Sequence, residues 1–365
     1  MTNETVDTAD TVVTAQTVDT GLDALLGQFV TDLGATAAAG NIVIGDRLGL
    51  YRALAEAGPF TAAELADYTA TAERYVREWL RGQAAGGLVS YRADTDQFWL
   101  TPAQTLAFAD PQGLVLPGAF QMAVGFLQDL EAITERFRTG EGFAWGAHSD
   151  DVAIGCERFF RPGYVANLVS SWLPAVNGLV DRLEQGIAVA DVGCGLGSST
   201  RILAETYPAS TLTGFDNDPV SIELADKLAA DAGLGDRVAF AVAAAADFPG
   251  SDLGLVTTFD CLHDMGDPVG AARHIRSTLG SDGVWLIVEP YAGDTVVDNL
   301  TPVGRLYYSA STFLCVPHAL SEGSSDALGS QAGQQVIARV VAQAGFSRFQ
   351  RVSETPFNIV YEARP

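Results

Sequence analysis

The chain has 365 residues, 48% hydrophobic and 18% charged, which is room for one large domain and a smaller one, each with its own core. Lys and Arg number 21 against 45 Asp and Glu, a formal net charge of −24 that opposes binding to phosphate backbones or anionic lipid; no local basic patch offsets it. Cys156, Cys194, Cys261 and Cys315 lie far apart, with neither zinc nor disulfide spacing, and fit a reducing cytoplasm. The first residues lack the basic-then-apolar order of a signal peptide, and no stretch of about 18 apolar residues suggests a membrane span.

Residues 1–22 read as a disordered tail, with threonine at every third position among acids and small residues. Residues 23–105 read as a small helical unit closed by a hairpin. Asn41–Ala57 carries an apolar stripe at helical spacing, with Leu48, Leu50 and Tyr51 as candidates for a dimer contact. Thr61 and Glu64 have capping-box spacing for a second helix. A third helix runs through AERYVREWLRGQAAGG and stops at Gly86 and Gly87. The stretch LVSYRADTDQFWL then offers two short strands about a polar turn. Three helices and a hairpin outline a winged helix. Arg74, Arg77 and Arg81 on its third helix alternate with Glu73 and Glu78, so dimerisation is the expected use and nucleic-acid binding is not.

Residues 106–186 read as a helical connection. From 187 to 365 the pattern changes to short apolar runs (IAVADVG, TLTGFD, VAFAVA, LGLVTTFD, GVWLIVEP) separated by helical segments, which predicts a doubly wound α/β sheet. The last two runs, in FSRFQRVSETPFNIVYEARP, are too close for a helical crossover and should pair antiparallel.

Ligands of such sheets bind at the carboxyl ends of the strands. The first of these ends is Asp191-Val192-Gly193-Cys194-Gly195-Leu196-Gly197, a GxGxG turn and not the GxGxxG of dinucleotide sites. A bare turn of this kind would suit any nucleotide. The carboxylate of Asp191 before it argues for a cationic or donor-rich ligand over a pyrophosphate. The second strand ends at Asp216-Asn217, where an acid can accept both hydroxyls of a ribose. The third leads to Ala246-Asp247-Phe248, where an adenine amine could find an acceptor. Together these ends predict an S-adenosylmethionine pocket formed by Asp191, Gly193, Gly195, Gly197, Asp216, Asn217, Ala246, Asp247 and Phe248, with no metal.

The series DVGCGLGSST, GFDNDPVSIELA, DFP, FDCLHDMGDP and LIVEP resembles that of class I S-adenosylmethionine-dependent methyltransferases. From about residue 38 to 365 the chain is similar to an actinobacterial group of these enzymes with an N-terminal winged helix. The resemblance implies a seven-stranded Rossmann-like sheet with its last strand antiparallel and cofactor contacts at Gly193, Gly195, Asp216 and Asp247. The stretch Leu262-His263-Asp264-Met265-Gly266-Asp267 resembles the LHDWSD of plant-type O-methyltransferases. That likeness makes His263 the base for the acceptor's proton, Glu289 the acid that orients it, and Asp264 part of the same catalytic group. The alternative for His263 is a structural role, bonded only to backbone.

A cap segment, 291–329, is too long for an ordinary loop and has the position of a specificity element. Tyr307, Tyr308 and Phe313 within it, with Tyr164 and Trp172 of the connection, are the candidates to line a site for an aromatic or apolar acceptor. The expectation is a homodimeric cytoplasmic methyltransferase acting on a small molecule. The alternatives are an S-adenosylmethionine-binding transcriptional regulator, or an enzyme of the same fold that does not methylate.

Overall fold

The computed structural model describes residues 15–324 and 327–365, with side chains described from residue 21. Gln104 and Thr105 mark the division between two compact units.

The first unit begins with α1 (Ala15–Arg47), a helix already formed within the stretch expected as tail; residues 1–14 of that stretch lie outside the described residues. The single helix expected over Asn41–Ala57 is two. Gly49 takes a left-handed conformation (φ 69°) and turns the chain from α1 into α2 (Leu50–Ala57). Next, α3 (Ala62–Thr69) opens with the expected Thr61–Glu64 capping box. Then come α4 (Glu73–Ala85), β1 (Ser90–Arg92) and β2 (Gln97–Trp99), the two strands paired antiparallel. Inside the unit the Trp79 indole donates to the Asn41 carbonyl at 2.8 Å, and the Tyr51 hydroxyl to Gln83 Oε1 at 2.7 Å. Gly45 admits the Trp79 ring, which a Cβ would strike at 2.3 Å. Leu50 and Tyr51 are each 1% exposed in this core, so of the three residues expected at a dimer contact only Leu48 is on the surface.

The second unit begins with helices: α5 (Pro102–Phe108), which crosses the division, α6 (Pro117–Gln128), α7 (Leu130–Thr139) and α8 (Asp150–Asn167). A π-helical turn over Leu168–Trp172 and α9 (Leu179–Gln185) lead into the sheet. There β3 (Ala188–Val192), α10 (Ser198–Thr206), β4 (Thr211–Asp216), α11 (Pro219–Asp231), β5 (Val238–Val242), β6 (Leu253–Phe259), α12 (Pro268–Thr278) and β7 (Leu279–Pro290) alternate as expected. The cap segment folds into α13 (Pro302–Phe313) and α14 (Cys315–Ser321), and α15 (Gly333–Gln343), β8 (Arg348–Glu354) and β9 (Asn358–Arg364) complete the chain.

The seven strands lie in the order β5-β4-β3-β6-β7-β9-β8. β9 runs antiparallel to both neighbours, as the short link from β8 dictates. Helices cover both faces, so the central strands are apolar on both sides. Along β7, Val284, Leu286 and Val288 enter one core with Trp172, Leu203 and Leu255. Trp285 and Ile287 enter the opposite one with Val256, Ile337 and Tyr361. This period of two sends successive residues to separate layers, and the parallel pairing of β3, β4, β5 and β6 brings their carboxyl ends to one edge.

Leu255 is fully buried in the central strand β6. Leu255→Ala is expected to lower the free energy of unfolding by about 2–5 kcal/mol, lost transfer energy plus the cavity left behind. Urea denaturation followed by circular dichroism checks it.

Candidate active site

The turn after β3 is held from beneath by a buried carboxylate. Asp191, 1% exposed, accepts from the hydroxyls of Ser199 and Thr200 on α10 at 2.6 Å each, and from Thr257 on β6 at 2.7 Å. Burial pushes its carboxyl up from the usual range, and the three hydroxyls pull the other way. Asp191 does not reach the ligand side, where the sequence placed it. It fixes the turn to the helix and to the neighbouring strand.

Above the turn lies a cavity of about 420 Å³ at the expected strand ends, a size that suits a small molecule. Gly193 and Gly195 form part of its wall. Gly193 is left-handed (φ 71°), and a Cβ there would meet Cys261 Sγ at 2.6 Å; the open side of Gly195 faces no atom within 4 Å. Gly197 stands outside the wall, close against the Phe240 ring. Beside the turn Asp216 ends β4. One carboxylate oxygen accepts from the Gly195 N–H at 2.8 Å and the other from the Asp218 N–H at 3.0 Å, which leaves a lone pair on each for a ligand. Burial pushes this carboxyl up as well.

After β5, four alanines (Ala243, Ala244, Ala245 and Ala246) leave a smooth slot in the wall. Asp247 is not in it; its carboxylate caps its own turn by accepting from the Ala244 N–H at 3.2 Å. Phe248 is buried against Phe215 and His274. Asn217 is in the wall, and its amide donates to Glu322, just past α14.

After β6 the wall takes Asp260, Cys261, Asp264, Met265 and Asp267. His263 is buried beside them without forming part of the wall. Its Nδ1 lies 2.6 Å from Glu289 Oε2, and the other oxygen of Glu289 accepts from the Leu262 N–H at 3.0 Å. The expected histidine–acid pair is therefore present. Its Nε2 faces Cys315 Sγ of α14 at 3.3 Å, a partner with no local signal in the sequence. Burial alone would pull this imidazole down, but Glu289 and Cys315 outweigh it and hold it well above its ordinary value. Asp264 is pushed up to about 6 by burial, with His263 opposing.

Of the aromatics proposed for the acceptor, only Tyr164 lines the cavity. Trp172 is wholly buried in the core beneath the sheet. Tyr307 donates its hydroxyl to the Phe357 carbonyl at 2.7 Å, Phe313 stacks on Phe126, and Tyr308 is 38% exposed on the surface. These three sit on a helix whose inward face could not be told from its outward face until α13 was packed. The wall also holds residues that the sequence reading passed over. Glu157 on α8 accepts from the Ser198 hydroxyl, and from Arg201 at 3.3 Å. Glu322 accepts from the Gly266 N–H at 2.7 Å. Asp260 is the first residue after β6, and that position was its one available signal.

Asp191→Ala is expected to cost about 1–3 kcal/mol of stability, because three buried hydroxyls lose a charged acceptor. Chemical denaturation measures it; an unchanged midpoint would mean that the hydroxyls find other partners.

Two family models match the chain: an Rv2258c-like winged HTH domain over residues 36–109 and a methyltransferase domain over 183–345. The mitomycin biosynthesis 6-O-methyltransferase of Streptomyces lavendulae is 27% identical over 312 residues, 80% of this chain and 84% of that one. A protein of Oryza sativa subsp. japonica named Probable tocopherol O-methyltransferase, chloroplastic, is 40% identical over 89 residues; the match spans about a quarter of each chain, 24%. Human N-acetylserotonin methyltransferase, solved in complex with S-adenosylmethionine, shares the fold with a TM-score of 0.70 at 17% identity, over 94% of this chain and 97% of that one. The chain therefore joins, in sequence, an Rv2258c-like winged HTH domain to a methyltransferase domain built on a seven-stranded sheet.

Proposed function

We propose that the protein transfers a methyl group from S-adenosylmethionine to a small-molecule acceptor. The observation that carries this reading is the cavity itself: a glycine turn, Asp216 hydrogen-bonded to it and four small alanines after β5, in a wall rich in carboxylates. Gly193 and Gly195 would admit the ligand close to the backbone, Asp216 would accept from the ribose hydroxyls, and Ala243 to Ala246 would lie along the adenine. The carboxylates suit a cation. When bound, the cofactor supplies a methyl group on a sulfonium that is already a good leaving group, so the chain's task is alignment of the acceptor. The names of the relatives favour a hydroxyl as that acceptor.

In this reading His263 takes the acceptor's proton from Nε2 once the acceptor replaces Cys315 there, with Glu289 fixing the tautomer. The winged-helix unit serves a homodimer and not nucleic acid. Arg74 and Arg77 of α4 are paired with Glu78 and Glu73, while α1 exposes Leu22, Leu25, Leu26, Phe29, Val30 and Leu33 at helical spacing. Among the described residues no helix is long and apolar enough to cross a membrane, and the four cysteines are free, which supports a reducing, cytoplasmic setting.

Asp216→Ala is expected to weaken binding of S-adenosylhomocysteine by about 1–3 kcal/mol. Titration calorimetry reads it, and an unchanged affinity would place the cofactor elsewhere. Incubation with methyl-labelled S-adenosylmethionine and a metabolite extract should label at least one small product.

With that product's precursor in hand, His263→Ala is expected to lower turnover by about 10²–10⁴ with cofactor affinity retained. The base works only when neutral, and its pKa is held above the ordinary value. Turnover should therefore rise with pH along a limb that lies above that value. Glu289→Gln removes a negative charge that favours the imidazolium, so the limb should move to lower pH. A limb that stays in place would remove Glu289 from the assignment.

A further inference from the structure

The cavity wall is strongly one-sided in charge. It holds six carboxylates (Glu157, Asp216, Asp260, Asp264, Asp267 and Glu322) and, among the described residues, neither arginine nor lysine. Its one basic side chain is His318, which is already engaged: Nδ1 accepts from the Trp145 N–H at 3.2 Å and Nε2 lies 3.7 Å from Glu322. Among the described residues of this wall, no arginine or lysine is present to pair with an anion, and the one histidine is already engaged.

Asp260 differs from the other carboxylates in its surroundings. It bonds to Tyr164, whose ring lies against Phe160 and Phe259 in the same wall. Its backbone takes a left-handed conformation (φ 52°) that side chains other than glycine rarely take. Its N–H donates to the Val288 carbonyl at 2.7 Å. One carboxylate oxygen accepts from the Tyr164 hydroxyl at 2.9 Å and the other from the Asn358 amide at 2.7 Å. Both donors are neutral and buried, and each oxygen keeps a lone pair. Burial pushes this carboxyl up to about 8, with Glu289 adding to the shift and Tyr164 and His263 opposing it.

Resting on the methyl-transfer reading, we infer that the acceptor is uncharged or cationic, that Asp260 holds it by accepting a hydrogen bond from its O–H or N–H group, and that acceptors bearing a carboxylate or phosphate are excluded. A donor on an apolar or aromatic molecule would supply what Asp260 lacks while its body packs on the rings. An ammonium would gain the ring faces as well. A carboxylate in the same place would face a wall lined by six acidic side chains and, among the described residues, by neither arginine nor lysine. The field of a chain of net charge −24 acts in the same direction during approach.

The test uses the full-length wild-type protein, methyl-labelled S-adenosylmethionine and a whole-cell metabolite extract, with labelled products passed over anion- and cation-exchange resins at neutral pH. Label in the flow-through or on the cation exchanger, above an enzyme-free control that accounts for the cationic S-adenosylmethionine itself and stable to the mild alkali that cleaves methyl esters, is the expected result. Label held on the anion exchanger, or released by mild alkali as from a methyl ester, overturns the inference and leaves methyl transfer standing. No label in any fraction removes the methyl-transfer reading, and this inference with it.

A second arm uses Asp260→Asn with the purified precursor of the labelled product. The acceptor KM should rise roughly tenfold or more, with S-adenosylhomocysteine affinity by calorimetry within about twofold of wild type, which also reports folding. An unchanged acceptor KM with weakened binding of S-adenosylmethionine would assign Asp260 to the sulfonium and overturn its role here. The resin experiment stands without any variant, so a poorly folding substitution does not spare the inference.

Discussion

One buried carboxylate organises the site. Asp191 has almost no contact with solvent, and its ionised form is sustained by three short hydrogen bonds from side chains of two different elements. Placing a charge there is costly unless such donors converge. That requirement works as a constraint: α10 must start where Ser199 and Thr200 can reach back, and β6 must stand in register so that Thr257 faces Asp191, its paired residue across the ladder. The glycine turn between them then has little freedom left. Its shape, and the cavity above it, follow from where Asp191 is satisfied.

The cavity inherits a second constraint from the carboxylates that surround it. Asp216, Asp260 and Asp264 are all raised by burial, the sign of groups that lose water without gaining enough positive charge. A cationic ligand would relieve that imbalance at several points at once, which is what the proposed sulfonium cofactor would supply. The cap contributes to the same wall through Glu322, which reaches both Asn217 after β4 and the backbone of Gly266 after β6. The loops after β4 and β6 and the cap are thus tied by a single side chain.

The pairing of His263 with Glu289 shows how adjacent parallel strands produce chemistry. Each residue comes shortly after or at the end of its strand, and the ladder between β6 and β7 sets them side by side. Cys315 approaches from another element, α14, and occupies the nitrogen that a base would use. A histidine held between a carboxylate and a thiol is oriented in advance, which in the proposed reaction would limit the reorganisation needed for proton transfer.

Local periodicity carried most of the fold. Short apolar runs marked β3, β4, β6 and β7, the Thr61–Glu64 spacing marked the start of α3, and the short span between β8 and β9 dictated their antiparallel pairing. These features depend on neighbours in sequence, so the sequence by itself determined them, together with the glycine turn and Asp216, while the pairing of His263 with Glu289 was legible only through the likeness to plant-type O-methyltransferases. What the tertiary structure alone decided was direction and distance. Whether Asp191 faces the ligand or the core, whether Tyr307, Tyr308 and Phe313 point into the cavity, and whether Glu157, Cys315 and Glu322 arrive at all depends on how helices remote in sequence pack on the sheet. A carboxylate or an aromatic ring has the same local pattern on either face of its element. Only packing, which satisfies some of these groups internally and leaves others exposed to the cavity, separates a residue of the scaffold from a residue of the site.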